Sequence, residues 1–105
     1  MKYLLVYYGG TMPGTPAEQE AAFAAWGAWF GALGAAVADG GNPFTPAVKN
    51  ISPGGVVKDG AIGEQATGYS VLEANSLAEA TEMAKGCPLL KHSGRITVYE
   101  TFNAM

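Results

Sequence analysis

Gly68-Tyr69-Ser70-Val71-Leu72-Glu73-Ala74, then Ser76-Leu77-Ala78-Glu79, then Arg95-Ile96-Thr97-Val98-Tyr99-Glu100-Thr101-Phe102 is the stretch whose reading decides the fold. In the first segment Tyr69, Val71 and Glu73 point one way and Ser70, Leu72 and Ala74 the other, as a strand requires. Ser76 puts a hydroxyl at a helix N-cap, and Glu79 puts a carboxylate three residues on, so two orphan amides can be satisfied reciprocally. The helix runs from Ser76 to Lys85, offering Leu77, Ala80 and Ala84 to a core. Gly86 suits a left-handed residue after its last turn, and Pro88 cannot continue it. The last segment alternates again, Ile96, Val98 and Glu100 on one face and Thr97, Tyr99 and Thr101 on the other.

Working upstream, Lys2-Tyr3-Leu4-Leu5-Val6-Tyr7-Tyr8 is aromatic and branched and ends at Gly9-Gly10, which predicts a first strand. Gly9 to Gly14 is a loop. It lacks the Lys-Ser or Lys-Thr that a phosphate-cradling P-loop needs. Thr15-Pro16-Ala17-Glu18 supplies an N-cap, a proline at N1 and a carboxylate at N3, so a helix starts at Pro16. Phe23, Trp26, Phe30 and Leu33 recur at helical spacing, with Trp29 widening the stripe. Gly27, Gly31 and Gly34 each cost helix stability, up to about 1 kcal/mol relative to Ala, so close packing against a sheet is expected there. Gly40-Gly41-Asn42-Pro43 reads as a turn. Ala47 to Ile51 and Gly55 to Lys58 read as two short strands around Ser52-Pro53-Gly54, a hairpin or a bulged strand.

The order is strand, helix, two or three strands, helix, strand. It predicts an α+β fold of the split βαβ kind, βαββαβ, with an antiparallel sheet and both helices on one face. The second face would carry Tyr, Thr and Val side chains. A second copy is its simplest cover, so an isologous homodimer follows.

With 105 residues, 49% hydrophobic and 14% charged, the chain suits one domain, residues 1 to 105. Net charge −3 with six scattered basic residues leaves no footprint for nucleic acid. Ala21 to Ala38 carries no charge, yet it is mostly Ala and Gly and just short of a bilayer span, so no membrane is expected. Leu4 to Tyr8 is shorter than a secretory apolar core. The lone Cys87 cannot form an internal disulfide, which fits the cytoplasm.

In this sequence Met1-Lys2-Tyr3-Leu4-Leu5-Val6-Tyr7, Gly41-Asn42-Pro43, Lys58-Asp59-Gly60-Ala61-Ile62, Gly68 to Ala74, Ser76 to Ala80, Gly86-Cys87-Pro88 and Arg95 to Glu100 follow one another over nearly the whole chain. In that order and spacing they resemble the YCII-related family, including its DGPF-domain branch. The resemblance implies a ferredoxin-like fold paired into a dimeric α/β barrel. It also implies gene neighbourhoods with sigma factors of the extracytoplasmic-function group, hence a regulatory protein partner. Family members suspected of catalysis carry a His on the first helix and an Asp after the first strand. Here Trp26, Trp29 and Tyr8-Gly9-Gly10 stand there, and Asp-Gly-Pro-Phe is reduced to Asp59-Gly60-Ala61-Ile62, so that dyad does not carry over.

Among residues able to do chemistry, Glu100 stands out, because alternation turns it toward the helices, where it would need a buried partner or a raised pKa. His92, the only imidazole, lies in a polar loop and could serve as a base. Asp59 is a third candidate proton carrier. No zinc site is supported, since one His and one Cys lack ligand spacing, and no cofactor is implied. Cys87 follows a helix C-terminus, which disfavours a thiolate, so it reads as packing. Tyr7, Trp26, Trp29 and Tyr69 would line a cleft between the first helix and the sheet. The expected function is binding of a small apolar or aromatic molecule there, with isomerase or lyase proton chemistry. A non-catalytic regulatory or protein-interaction module is the alternative.

Overall fold

The computed structural model describes residues 1–10 and 14–104; of the loop expected over Gly9 to Gly14, residues 11–13 lie outside it. The elements are β1 (Lys2–Gly9), α1 (Pro16–Leu33), β2 (Val37–Asp39), β3 (Lys49–Ser52), β4 (Val56–Asp59), β5 (Ala66–Glu73), α2 (Leu77–Ala84) and β6 (Gly94–Glu100), with 3-10 turns at Gly34–Ala36 and Pro88–His92. Four strands form one antiparallel sheet in the order β2-β5-β1-β6, while β3 and β4 form a separate two-stranded sheet. The fold is mixed α+β, and this order is compatible with a ferredoxin-like arrangement.

Register fixes which side chains share a face. Tyr3 lies between Leu72 and Glu100, Leu5 between Ser70 and Val98, and Tyr7 between Gly68 and Ile96. These face the helices: Leu5, Tyr7 and Leu72 pack with Trp29, Ala84 and Cys87, and Tyr3 with Ala74 and Ala80. The other face carries Leu4, Val6 and Tyr8 opposite Val71, Tyr69 and Ala66 on one side, and opposite Tyr99, Thr97 and Arg95 on the other. Its β1 and β5 side chains from Leu4 to Val71 are half-buried and its Tyr99 is exposed.

Both N-caps form as local chemistry requires. Thr15 Oγ1 accepts the Glu18 amide at 3.1 Å, and Ser76 Oγ accepts the Glu79 amide at 3.1 Å. The return bonds differ from a capping box: Glu18 accepts from the Gly14 amide at 3.0 Å, and Glu79 from the Asn75 side-chain amide at 3.3 Å.

Several sequence expectations are corrected by packing. Gly86 has no left-handed backbone; a Cβ there would stand 3.2 Å from the Trp29 indole, so glycine at this position makes room for the ring and does not serve chain reversal. Gly27, Gly31 and Gly34 have nothing within 4 Å of a would-be Cβ, so they lie on the outer side of α1 and not against the sheet. Phe23 is 79% exposed on that outer side instead of joining the Trp26 stripe, and Leu77 is exposed as well. The turn expected at Gly40 to Pro43 instead continues along β5. Asn42 O accepts the Tyr69 amide at 3.3 Å, Pro43 bridges Gly68, and the Phe44 amide donates to Thr67 O at 2.8 Å.

Candidate functional site

Three of the four aromatic candidates converge, and they fill the space between α1 and the sheet. Trp26 meets Tyr7 and Trp29 edge to face, with ring centroids 5.5 and 5.7 Å apart, and Phe30 at a tilt of 44° and 5.8 Å. The Trp29 indole N–H donates to Met83 O at 3.0 Å. Beneath them the Tyr7 hydroxyl donates to Ser70 Oγ at 2.6 Å, and Ser70 donates to Gly40 O at 2.7 Å. Burial pushes the Tyr7 phenol above its ordinary range and the Cys87 thiol up to about 11. The cleft expected beneath Trp26 is therefore occupied by Tyr7. Tyr69 projects from the opposite face of the sheet, where it stacks on Phe44 with centroids 5.8 Å apart and planes 21° apart.

The three proton-carrying candidates do not meet within one chain. Glu100 lies on the helix side as alternation predicts, but at the exposed end of β6, where its carboxylate accepts the Tyr3 hydroxyl at 3.3 Å. Burial, and next the Glu100 charge, raise the Tyr3 phenol. His92 ends the 3-10 turn that leads into the other end of β6 and is exposed. Seven strand residues separate the two ends, roughly 20 Å at ~3.3 Å per residue, too far for a shared proton. Asp59 ends β4, in the separate hairpin, and its exposed carboxylate pairs with Lys49 Nζ at 2.6 Å.

What the fold does build is a groove of about 590 Å³ on the margin of the open face. Tyr8 of β1 lines it together with two segments, one supplying Pro43, Phe44, Thr45, Ala47 and Val48 and the other Ala61, Ile62, Glu64, Gln65 and Ala66. The local backbone explains why these segments meet. A bulge skips Thr67 between the Tyr7–Gly68 and Tyr8–Ala66 pairs, and the Thr67 hydroxyl donates to Tyr7 O at 3.2 Å. The bulge re-aims the chain at the very point where the Pro43–Gly68 bridge and the Phe44–Tyr69 stack anchor the opposite wall. An ion pair between Arg95, in register with Tyr8, and Glu64 ties the outer wall to β6.

Sequence reasoning missed Tyr8, Phe44, Ile62 and Glu64 as site residues. Two signals were present: Gly41-Asn42-Pro43, which precedes Phe44, and Lys58-Asp59-Gly60-Ala61-Ile62, both among the stretches that carry the family resemblance. The sequence matches no family model and no curated protein. Among the described residues no helix is long and apolar enough to cross a membrane.

Proposed function

We propose that this chain is a YCII-related protein that works in the cytoplasm as a homodimer and binds a small apolar or aromatic molecule in the groove over Tyr8. The groove itself carries this reading. Its volume of about 590 Å³ falls in the range of small-molecule sites, roughly 300–1,000 Å³. Its lining sets apolar side chains, Pro43, Phe44, Val48 and Ile62, beside polar groups from Tyr8, Thr45, Glu64 and Gln65. Homodimer formation is supported by the face beside it, where among the described residues no helix packs over Leu4, Val6 and Val71, which are half-buried, or over Tyr99, which is exposed. Binding alone is proposed, because Glu100, His92 and Asp59 lie apart and the groove's own carboxylate, Glu64, is engaged by Arg95.

A thermal-shift titration with phenol, benzoate, indole and cinnamate tests it. A compound held at a hundredfold excess over its dissociation constant stabilises by about 2.7 kcal/mol. At least one probe raises the unfolding midpoint, and Phe44→Asp or Ile62→Asp abolishes that rise. A panel with no effect, or a shift that survives both substitutions, overturns the proposal.

One observation favours the second reading, a regulatory module that contacts another protein. The outer side of α1 presents Phe23 to solvent beside three glycines with open space around them. On that reading, an extracytoplasmic-function sigma factor encoded beside the gene binds the chain, and Phe23→Asp weakens the complex.

A further inference from the structure

We propose that the β3–β4 hairpin is an arm that seats on a second copy of this chain, each arm covering part of the other copy's open sheet face. This rests on the homodimer proposed above and names the element that holds it together.

The hairpin is a two-stranded unit outside the main sheet, and such units alone are at best marginally stable in water. Its ladder is closed at the base by bonds between its own two sides: the Gly60 amide donates to Val48 O at 3.0 Å, and the Asn50 side-chain amide donates to Gly60 O at 3.0 Å. Its blade is not covered. Ile51 and Val57 are directly opposed across the ladder, on one face, and are 68% and 54% exposed. Val56 on the other face is exposed too. The Lys49–Asp59 pair on the Ile51 face is solvent-exposed, and such pairs contribute about 1 kcal/mol at most. A stiff, apolar, branched blade of this kind is stabilised by what it docks on.

Three features point to a second copy as the occupant. The arm, residues 49–59, carries Lys49, Lys58 and Asp59 and is net +1, so the remainder of a chain of net −3 is −4. A positive arm is drawn to an acidic body of its own kind. The chain exposes 7068 Å², whereas about 5,500 Å² is usual for a monomer of its mass. That excess of about 1,500 Å² exceeds the roughly 800 Å² per partner that a stable complex buries. Finally, the groove walls run straight into the arm through Val48 and Ala61, so a second copy held by the arm also covers the open side of the groove.

Sedimentation equilibrium on the full chain tests the proposal with three proteins: wild type, the double variant Ile51→Asp/Val57→Asp, and Phe23→Asp as an exposed apolar control on α1. The arm variant raises the dimer dissociation constant at least tenfold and the control leaves it unchanged. A wild-type dimer with an arm variant that associates equally well overturns the arm and leaves the homodimer standing. A wild-type monomer overturns both. Hydrogen exchange on unmodified protein supplies a second readout: amides 49–59 are protected well above the dissociation constant and exchange freely well below it. Protection that does not change with concentration overturns the arm.

Discussion

Tyr7 donates its phenol proton to Ser70, and Ser70 donates its own to the Gly40 carbonyl, so a polar chain crosses the core with each hydroxyl engaged. Tyr7→Phe removes one buried bond and destabilises the fold by about 1–2 kcal/mol, read as a lower urea midpoint. Gly41 has φ +74, and a Cβ there would stand 1.7 Å from the Tyr69 carbonyl oxygen. Gly41→Ala therefore costs ~3 kcal/mol or more, or prevents folding, in the same measurement. Cys87 sets a pH dependence. Burial raises its thiol from 9.0 to about 11, so the folded chain holds that proton more tightly than the unfolded one. Stability from this group is complete below pH 9 and declines as pH rises toward about 11. The urea midpoint of wild type falls between pH 8 and 10.5, and that of Cys87→Ala falls less steeply.

The first helix shows how an element can satisfy its own start signal and still be misread on its outer side. Thr15, Pro16 and Glu18 act within one turn, so its start is legible from four letters, as is that of α2 from Ser76. The alternation of β5 and β6 was legible for the same reason: each side chain's face follows from its neighbours two residues away. Gly27 and Gly31 were not, because a glycine on a helix looks the same in sequence whether a backbone or water lies beside it. Since nothing lies within 4 Å of either, Gly27→Ala/Gly31→Ala raises the thermal midpoint, each substitution contributing up to about 1 kcal/mol. A lower midpoint would show that the helix has a close neighbour after all. Strand β2 was missed because only Val37 to Asp39 form it, too short a run to show alternation, and the glycines, asparagine and proline that follow along β5 read as a turn. The groove was missed for a related reason: its walls come from residue 8, residues 43–48 and residues 61–66, which only a bulge in β5 and an irregular strand edge bring together.

At the scale of the molecule, the shape follows from one covered and one uncovered sheet face. The chain is a plate of 45 × 38 × 18 Å with a radius of gyration of 15.3 Å, against about 13 Å for a compact domain of its length. Its helices and core lie on one side; on the other, Leu4, Val6, Tyr69, Val71 and Tyr99 share the open face, and the groove lies at the Tyr8 end of that face. In the homodimer proposed above this plate is one half of the assembly, and the groove, the open face and the arm are placed where the second half would meet it. Sedimentation velocity of the wild-type chain from low micromolar concentration upward tests this most directly. Two chains sedimenting together, with dissociation on dilution, is the predicted result. A single chain at every concentration, with the circular dichroism of an intact sheet and helices, would contradict it.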